Sequence, residues 1–261
     1  MPGWEPFDEC RTWHVDKMES YGVRKQARES NVMLVTPCPL SSNVFLSPNI
    51  PGWGYNAGTC CNSNTTIDDI GFIREIRDLF RSHFGVSNLP MYAVGFSTGG
   101  MLAEALMCYN IISKAASIEG TLTLPPGLDG AFQACDNKFD RGKRDGLSLM
   151  KVHQLGDWVV PYDGSPNAII SYLRFPSVEE DISKWAERLG CESDEREKVA
   201  TIGAATIEKY PRCPHSNSVY LVEVEGRRHR WPGLDCETED PSKLCTSKAV
   251  FDFFHGHPLT R

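Results

Sequence analysis

Apolar residues in this chain follow two rhythms that alternate along its length. Compact apolar runs of strand length occur at residues 31–36, 91–94, 115–118, 147–152 and 219–224. Between them, apolar residues recur at helical spacing. The clearest case is 67–84, where Ile70, Ile73, Ile76, Phe80 and Phe84 follow Asp68 and Asp69, acids that suit the positive end of a helix. Residues 99–110 are apolar nearly all round, which predicts a buried helix. Ser177 with Glu180 is a capping box; it opens a helix reaching Leu189, with Ile182, Trp185 and Leu189 on one face and Gly190 as its stop. Helices are also expected over 16–29 and 247–254. Residues 1–15, 37–66, 119–147 and 191–217 read as irregular or polar connections. Strands alternating with helices predict an α/β fold, a mostly parallel sheet with helices on both faces. No repeat or break in composition divides the chain, so 1–261 reads as a single domain.

Composition narrows this picture. The chain has 261 residues, 41% of them hydrophobic, enough for a substantial core. Against 34 acidic residues stand 27 basic ones, a net charge of −7 without any basic stripe, which argues against a nucleic-acid partner. No apolar run is long enough to span a bilayer. The 10 cysteines form no C-x-x-C pair and no zinc spacing with histidine, so they predict disulfides and an oxidising compartment. Position suggests Cys191 with Cys213 and Cys236 with Cys245, and adjacent Cys60 and Cys61 should bond to different partners. Neither a metal nor an organic cofactor is implied, and nothing in the sequence sets the oligomeric state. The N-terminus shows no basic start and no apolar stretch of a secretion signal.

The chemistry centres on Gly95-Phe96-Ser97-Thr98-Gly99, placed between an apolar run and a helix. This is the G-x-S-x-G nucleophile elbow, in which a tight strand-to-helix turn lifts the serine hydroxyl clear of the backbone. The competing reading is a Gly-rich turn whose serine caps the helix. A serine needs a base, and the base needs an orienting acid. Such groups sit just beyond the carboxyl ends of strands in open α/β sheets. Asp157 follows the run ending at Val152, and His229 follows the run ending at Val224. Asp163 and Glu119 compete for the role of acid and His153 for that of base. The order Ser97, Asp157, His229 is that of α/β-hydrolases.

Five stretches taken together resemble a known group: Gly54-Tyr-Asn-Ala-Gly-Thr-Cys-Cys61, Asp68-Asp-Ile-Gly-Phe-Ile73, Val94-Gly-Phe-Ser-Thr-Gly-Gly-Met101, the segment from His153 to Gly164, and His229-Arg-Trp-Pro-Gly233. The chain is similar to the secreted polyhydroxybutyrate-depolymerase and feruloyl-esterase-like α/β-hydrolases, which overlap family 1 of the carbohydrate esterases. The resemblance implies an extracellular serine esterase with Ser97 as nucleophile, Asp157 as acid, His229 as base and the Thr98 N–H as an oxyanion donor. It implies esters as substrates: feruloyl or acetyl groups on plant polysaccharide, or short polyhydroxyalkanoates. Aromatics at the Tyr55 and Trp231 positions tend to line the acyl cleft in that group; packed loop anchors are the other reading. Three departures stand out. Thr98 replaces a frequent Asn, Gln154 follows His153 where the group has Gly, and no strand ending in His-Gly precedes the first helix. The last predicts an N-terminally truncated hydrolase with a gap between the 31–36 strand and the elbow strand. Losing one oxyanion donor costs about a hundredfold to a thousandfold in rate. The alternative function is therefore a weak or inactive hydrolase-fold binding protein.

Overall fold

The structure, a computed structural model, describes all residues except 4, 7–9, 45–46, 61–63, 65, 141, 143–144, 165–173, 193–194, 235–242 and 260–261. In chain order the elements are β1 (Glu5–Pro6), α1 (Cys10–Ser20), α2 (Val23–Glu29), β2 (Ser41–Val44), β3 (Ser47–Trp53), α3 (Asp69–Phe84), β4 (Tyr92–Phe96), α4 (Thr98–Cys108), β5 (Lys114–Ile118), α5 (Asp129–Asp136), β6 (Ser148–Gln154), α6 (Val178–Leu189), β7 (Glu197–Ile202), β8 (Ala205–Lys209), β9 (Ser218–Val224) and α7 (Thr246–His255). The main sheet has the order β4-β5-β6-β9-β8-β7. Its first four strands are parallel, and the β7–β8 hairpin joins β9 antiparallel. A small antiparallel sheet, β1-β3-β2, stands apart from it.

Side chains alternate across the main sheet, as the two-residue period of a strand requires. Ala115, Leu149, Val219 and Leu221 enter one apolar layer with α4, α5 and α6. Ile118, Met150, Val152 and Val222 enter the other with α2 and α7. Both faces are covered, so β6 is buried at every position. A buried ionic cluster lies in this core. Lys151 of β6 is fully buried, its Nζ 2.6 Å from Glu104 Oε1 on α4 and 2.5 Å from Asp181 Oδ2 on α6. Trp185 Nε1 donates to Glu104 Oε2 at 2.8 Å, and the Leu122 N–H donates to Asp181 Oδ2 at 3.0 Å. Two carboxylates face one ammonium, so the fully charged set is one negative charge in excess. Burial and the neighbouring Asp181 push Glu104 up to about 7, against the pull of Lys151.

The helices at 67–84, 99–110, 177–189 and 247–254 form near their expected bounds. Asp68 caps α3 by accepting from the Gly71 N–H at 2.7 Å, and Ser177 caps α6 by accepting from the Glu180 N–H at 3.1 Å. Elsewhere the structure corrects the reading. The helix expected at 16–29 is two helices, broken where Gly22 takes φ 74°. The polar stretch 191–217 contains β7 and β8, the segment 119–147 contains α5, and the long 37–66 connection contains β2 and β3. Residues 31–36 form no strand, and Val32, Met33 and Val35 are exposed. An apolar run becomes a strand only if a neighbour takes up its N–H and C=O groups. Here a cavity of about 450 Å³ separates this run from Met91, Tyr92 and Val94 on the edge of the sheet, with Ile73, Phe80 and Phe254 among its walls.

The far end of that edge is occupied. The Met1 nitrogen donates to Val94 O at 2.7 Å, and the Phe96 N–H donates to Met1 O at 2.9 Å. Met1 thus begins a strand-like ladder on β4 just before the elbow, where the sequence reading expected a gap.

Disulfides join Cys108 to Cys135, tying the end of α4 to α5, and Cys191 to Cys213, as position suggested. Cys245 is disulfide-bonded; Cys236 and Cys61 lie outside the described residues. No described helix is long and apolar enough to cross a membrane.

Candidate active site

Four residues follow the carboxyl ends of the parallel strands, aligned by register. Phe96 of β4 pairs with Ile118 of β5, Ile118 with Val152 of β6, and Val152 with Val222 of β9. Ser97, Glu119 and Asp157 therefore emerge on one rim of the sheet, and the turn after β9 brings His229 to it.

Ser97 has φ 53° and ψ −120°, the strained corner of an elbow. Its N–H donates to Ile118 O at 2.8 Å, and its carbonyl accepts from the Met101 N–H at 2.9 Å. The turn closes main chain onto main chain. A Cβ on Gly95 would lie 2.0 Å from Gly99 O, and one on Gly99 would lie 2.2 Å from Met1 O. Gly3 lies over the serine, its site for a Cβ only 2.9 Å from Ser97 Cβ. Thr98 begins α4 and is fully buried, with its N–H among the unshared amides of the first turn.

Asp157 and His229 meet as expected. Asp157 Oδ2 lies 2.6 Å from His229 Nδ1, while Oδ1 accepts from the Val159 N–H at 2.8 Å and the Val160 N–H at 3.1 Å. Burial raises the cost of the Asp157 charge, but the hydrogen bond and charge of His229, with Glu119 and His153 behind, hold the carboxyl below its usual range. The His229 ring lies 4.9 Å from that of Phe96, the residue before the serine. Among the described residues no hydrogen bond joins Ser97 Oγ to His229; such contacts are often loose before substrate binds.

Asp163 is exposed, and Glu119 is buried against Asp157. Burial, then the hydrogen bond and charge of Asp157, push the Glu119 carboxyl well above its usual range. His153 is also buried. Desolvation lowers it to about 4 despite Asp157, and its Nε2 donates to Val160 O at 2.8 Å. It is thus a neutral brace of the Asp157 loop. Gln154 is the residue whose importance sequence reasoning missed. Its amide Nε2 lies 2.5 Å from Arg228 O, 3.0 Å from Arg230 O and 3.1 Å from Glu119 Oε1. The only hint in the sequence is its departure from the usual His-Gly.

Glu119, His153 and Asp157 bring three possible metal-ligand atoms within 4.8 Å of one another. The oxygens are already engaged by Gln154, His229 and loop amides, so they are poorly disposed to hold an ion. Tyr55 and Trp231 are both packed. Tyr55 is fully buried, its hydroxyl donating to Pro37 O at 2.7 Å. Trp231 is 1% exposed and stacks on Tyr21 at 4.5 Å. Each anchors a loop in this arrangement.

No protein-family profile matches the chain. Its sequence is similar to feruloyl esterase C of Emericella nidulans, 32% identical over 123 residues that make up 47% of this chain and 38% of that protein. It is also similar to feruloyl esterase B of Piromyces equi, 25% identical over 182 residues, 68% of this chain and 31% of that protein. The chain thus spans well under half the length of these curated relatives. Among solved structures, the Bacillus cereus carboxylesterase overlaps with a TM-score of 0.49 at 11% identity, covering 98% of this chain and 85% of that one.

Proposed function

We propose that this chain is a serine carboxylic-ester hydrolase. The observation that carries the reading is the 2.6 Å contact between Asp157 and His229 on the rim where the elbow serine emerges. With Nδ1 held by a carboxylate, His229 presents Nε2 as the basic nitrogen. Ser97 Oγ attacks the ester carbonyl while His229 Nε2 takes its proton, and Asp157 stabilises the imidazolium. The tetrahedral oxyanion is held by the Thr98 N–H at the start of α4. His229 then protonates the departing alkoxide, leaving an acyl-serine. Water, deprotonated by His229, attacks the acyl carbonyl, and His229 returns that proton to Ser97 Oγ as the acid departs.

The names of the relatives favour feruloyl esters; acetyl esters and short polyhydroxyalkanoates are the other substrates to compare. The disulfides Cys108–Cys135 and Cys191–Cys213 suit an extracellular setting. A fluorophosphonate should label the protein stoichiometrically at Ser97, and Ser97→Ala should abolish both labelling and hydrolysis of p-nitrophenyl acetate with the fold intact. Unchanged turnover in that variant would assign the chemistry to another nucleophile. A non-catalytic binding protein on the same frame would instead show no labelling of the folded wild type.

A further inference from the structure

We infer that Gln154 is a positioning residue for His229, an inference that rests on the hydrolase reading. His229 sits on a turn after β9, and turns are the least rigid parts of a sheet protein. The carbonyls on either side of it, Arg228 O and Arg230 O, are both within hydrogen-bond reach of the one amide nitrogen of Gln154. A primary amide has two N–H donors, which these two carbonyls share with Glu119 Oε1 at 3.1 Å.

The amide is itself held. Gln154 ends β6 opposite Val224 of β9, and its backbone N–H points to Glu119 Oε1 at 3.1 Å and Oε2 at 3.2 Å. Its Oε1 rests where Gly226 has no side chain; a Cβ there would lie 2.1 Å from that oxygen. Glu119, in turn, lies against Asp157, their carboxyl oxygens in one buried cluster within 4.8 Å. Glu119 and Gln154 therefore link the two loops of the acid–base pair at the strand ends, one touching Asp157 and the other flanking His229. A smaller residue at 154 would leave both turn carbonyls without these donors and let the imidazole swing from the line between Asp157 and Ser97. Misplacement of a reacting group by about 1 Å costs about a hundredfold in rate.

The test uses Gln154→Met, which keeps the length and packing of the side chain and removes both donors, beside Gln154→Ala. The expected result is a kcat lower by about a hundredfold in both with KM within about twofold, the signature of a group that acts on the transition state alone. The pKa of the acid limb of kcat/KM should shift, because His229 no longer holds its place against Asp157. Independently of turnover, the far-downfield proton resonance of His229 Nδ1–H should be present in the wild type and broadened or lost in Gln154→Met. An unchanged resonance in a folded Gln154→Met protein overturns the inference, as does an unchanged kcat and pH profile. A wild type that shows the resonance but no fluorophosphonate labelling would instead sink the hydrolase reading, leaving the brace to be judged by the resonance.

Discussion

Replacing Lys151 with Met is the sharpest test of how this core is held together. The Lys151 ammonium and both carboxylates are 0% exposed, so solvent cannot take over the role of the lost cation. Removing one partner of a buried ion pair costs about 3–5 kcal/mol, because a charge is left uncompensated. Here two carboxylates remain, and one relieves the strain by binding a proton. Glu104 is already raised to about 7 with Lys151 in place and rises further without it. A folded-state pKa above the unfolded value gives stability that is fully present below the unfolded value, near 4.5, and lost as pH rises through the folded one. The deficit of Lys151→Met should therefore be small near pH 4.5 and reach its full size above pH 7. At about 2–4 °C per kcal/mol, the variant should melt roughly 6–20 °C below wild type at pH 8. Urea unfolding of both proteins at the two pH values measures the difference. A deficit under about 1 kcal/mol at pH 8, or one independent of pH, would refute the picture of a dry, charged triad.

Three further outcomes are expected. Asp157→Asn should leave the fold intact and lower kcat by about ten-thousandfold, the scale of the same change in a serine protease triad, because His229 then holds the wrong tautomer; steady-state kinetics at pH 8 would show it. Gly3→Val should press on Ser97 Cβ and the Phe96 ring, 2.9 and 3.0 Å from the Cβ position, and slow fluorophosphonate labelling by about a hundredfold with little change in melting temperature. Replacing Cys108 and Cys135 by Ala should cost about 3 kcal/mol in denaturant unfolding, from the freedom regained over 27 residues.

Much of the site was legible because its signals are local. The glycines around Ser97 define a turn whatever surrounds them, and Asp157 and His229 could be placed by counting from the ends of apolar runs. What failed depended on partners. Residues 31–36 have the composition of a buried strand but, among the described residues, no strand beside them. β7 and β8 are one-sided, with Glu197, Lys198 and Thr201 exposed, so their polarity hid them in a connection. The helix α5 is only eight residues, too short for a clear period. Gln154 carried no signal beyond its departure from the usual His-Gly, because the carbonyls it reaches are 74 and 76 residues away. Glu119 was considered only as a rival acid; its raised pKa follows from burial against Asp157, which the sequence does not reveal.

The elbow is built from main chain pressed against main chain, with Gly95 facing Gly99 and Gly99 facing Met1. Such contacts have no side chain that can move aside. Ser97, by contrast, can become Ala without altering any of them. Form and reactivity are thus written in different letters of one pentapeptide. Mutation can silence the chemistry at position 97 while every flanking glycine is kept for the sake of folding. A descendant that had turned from catalyst to binding protein would still carry the glycines, so among relatives of this chain the identity of the single residue between Phe96 and Thr98 separates the two trades.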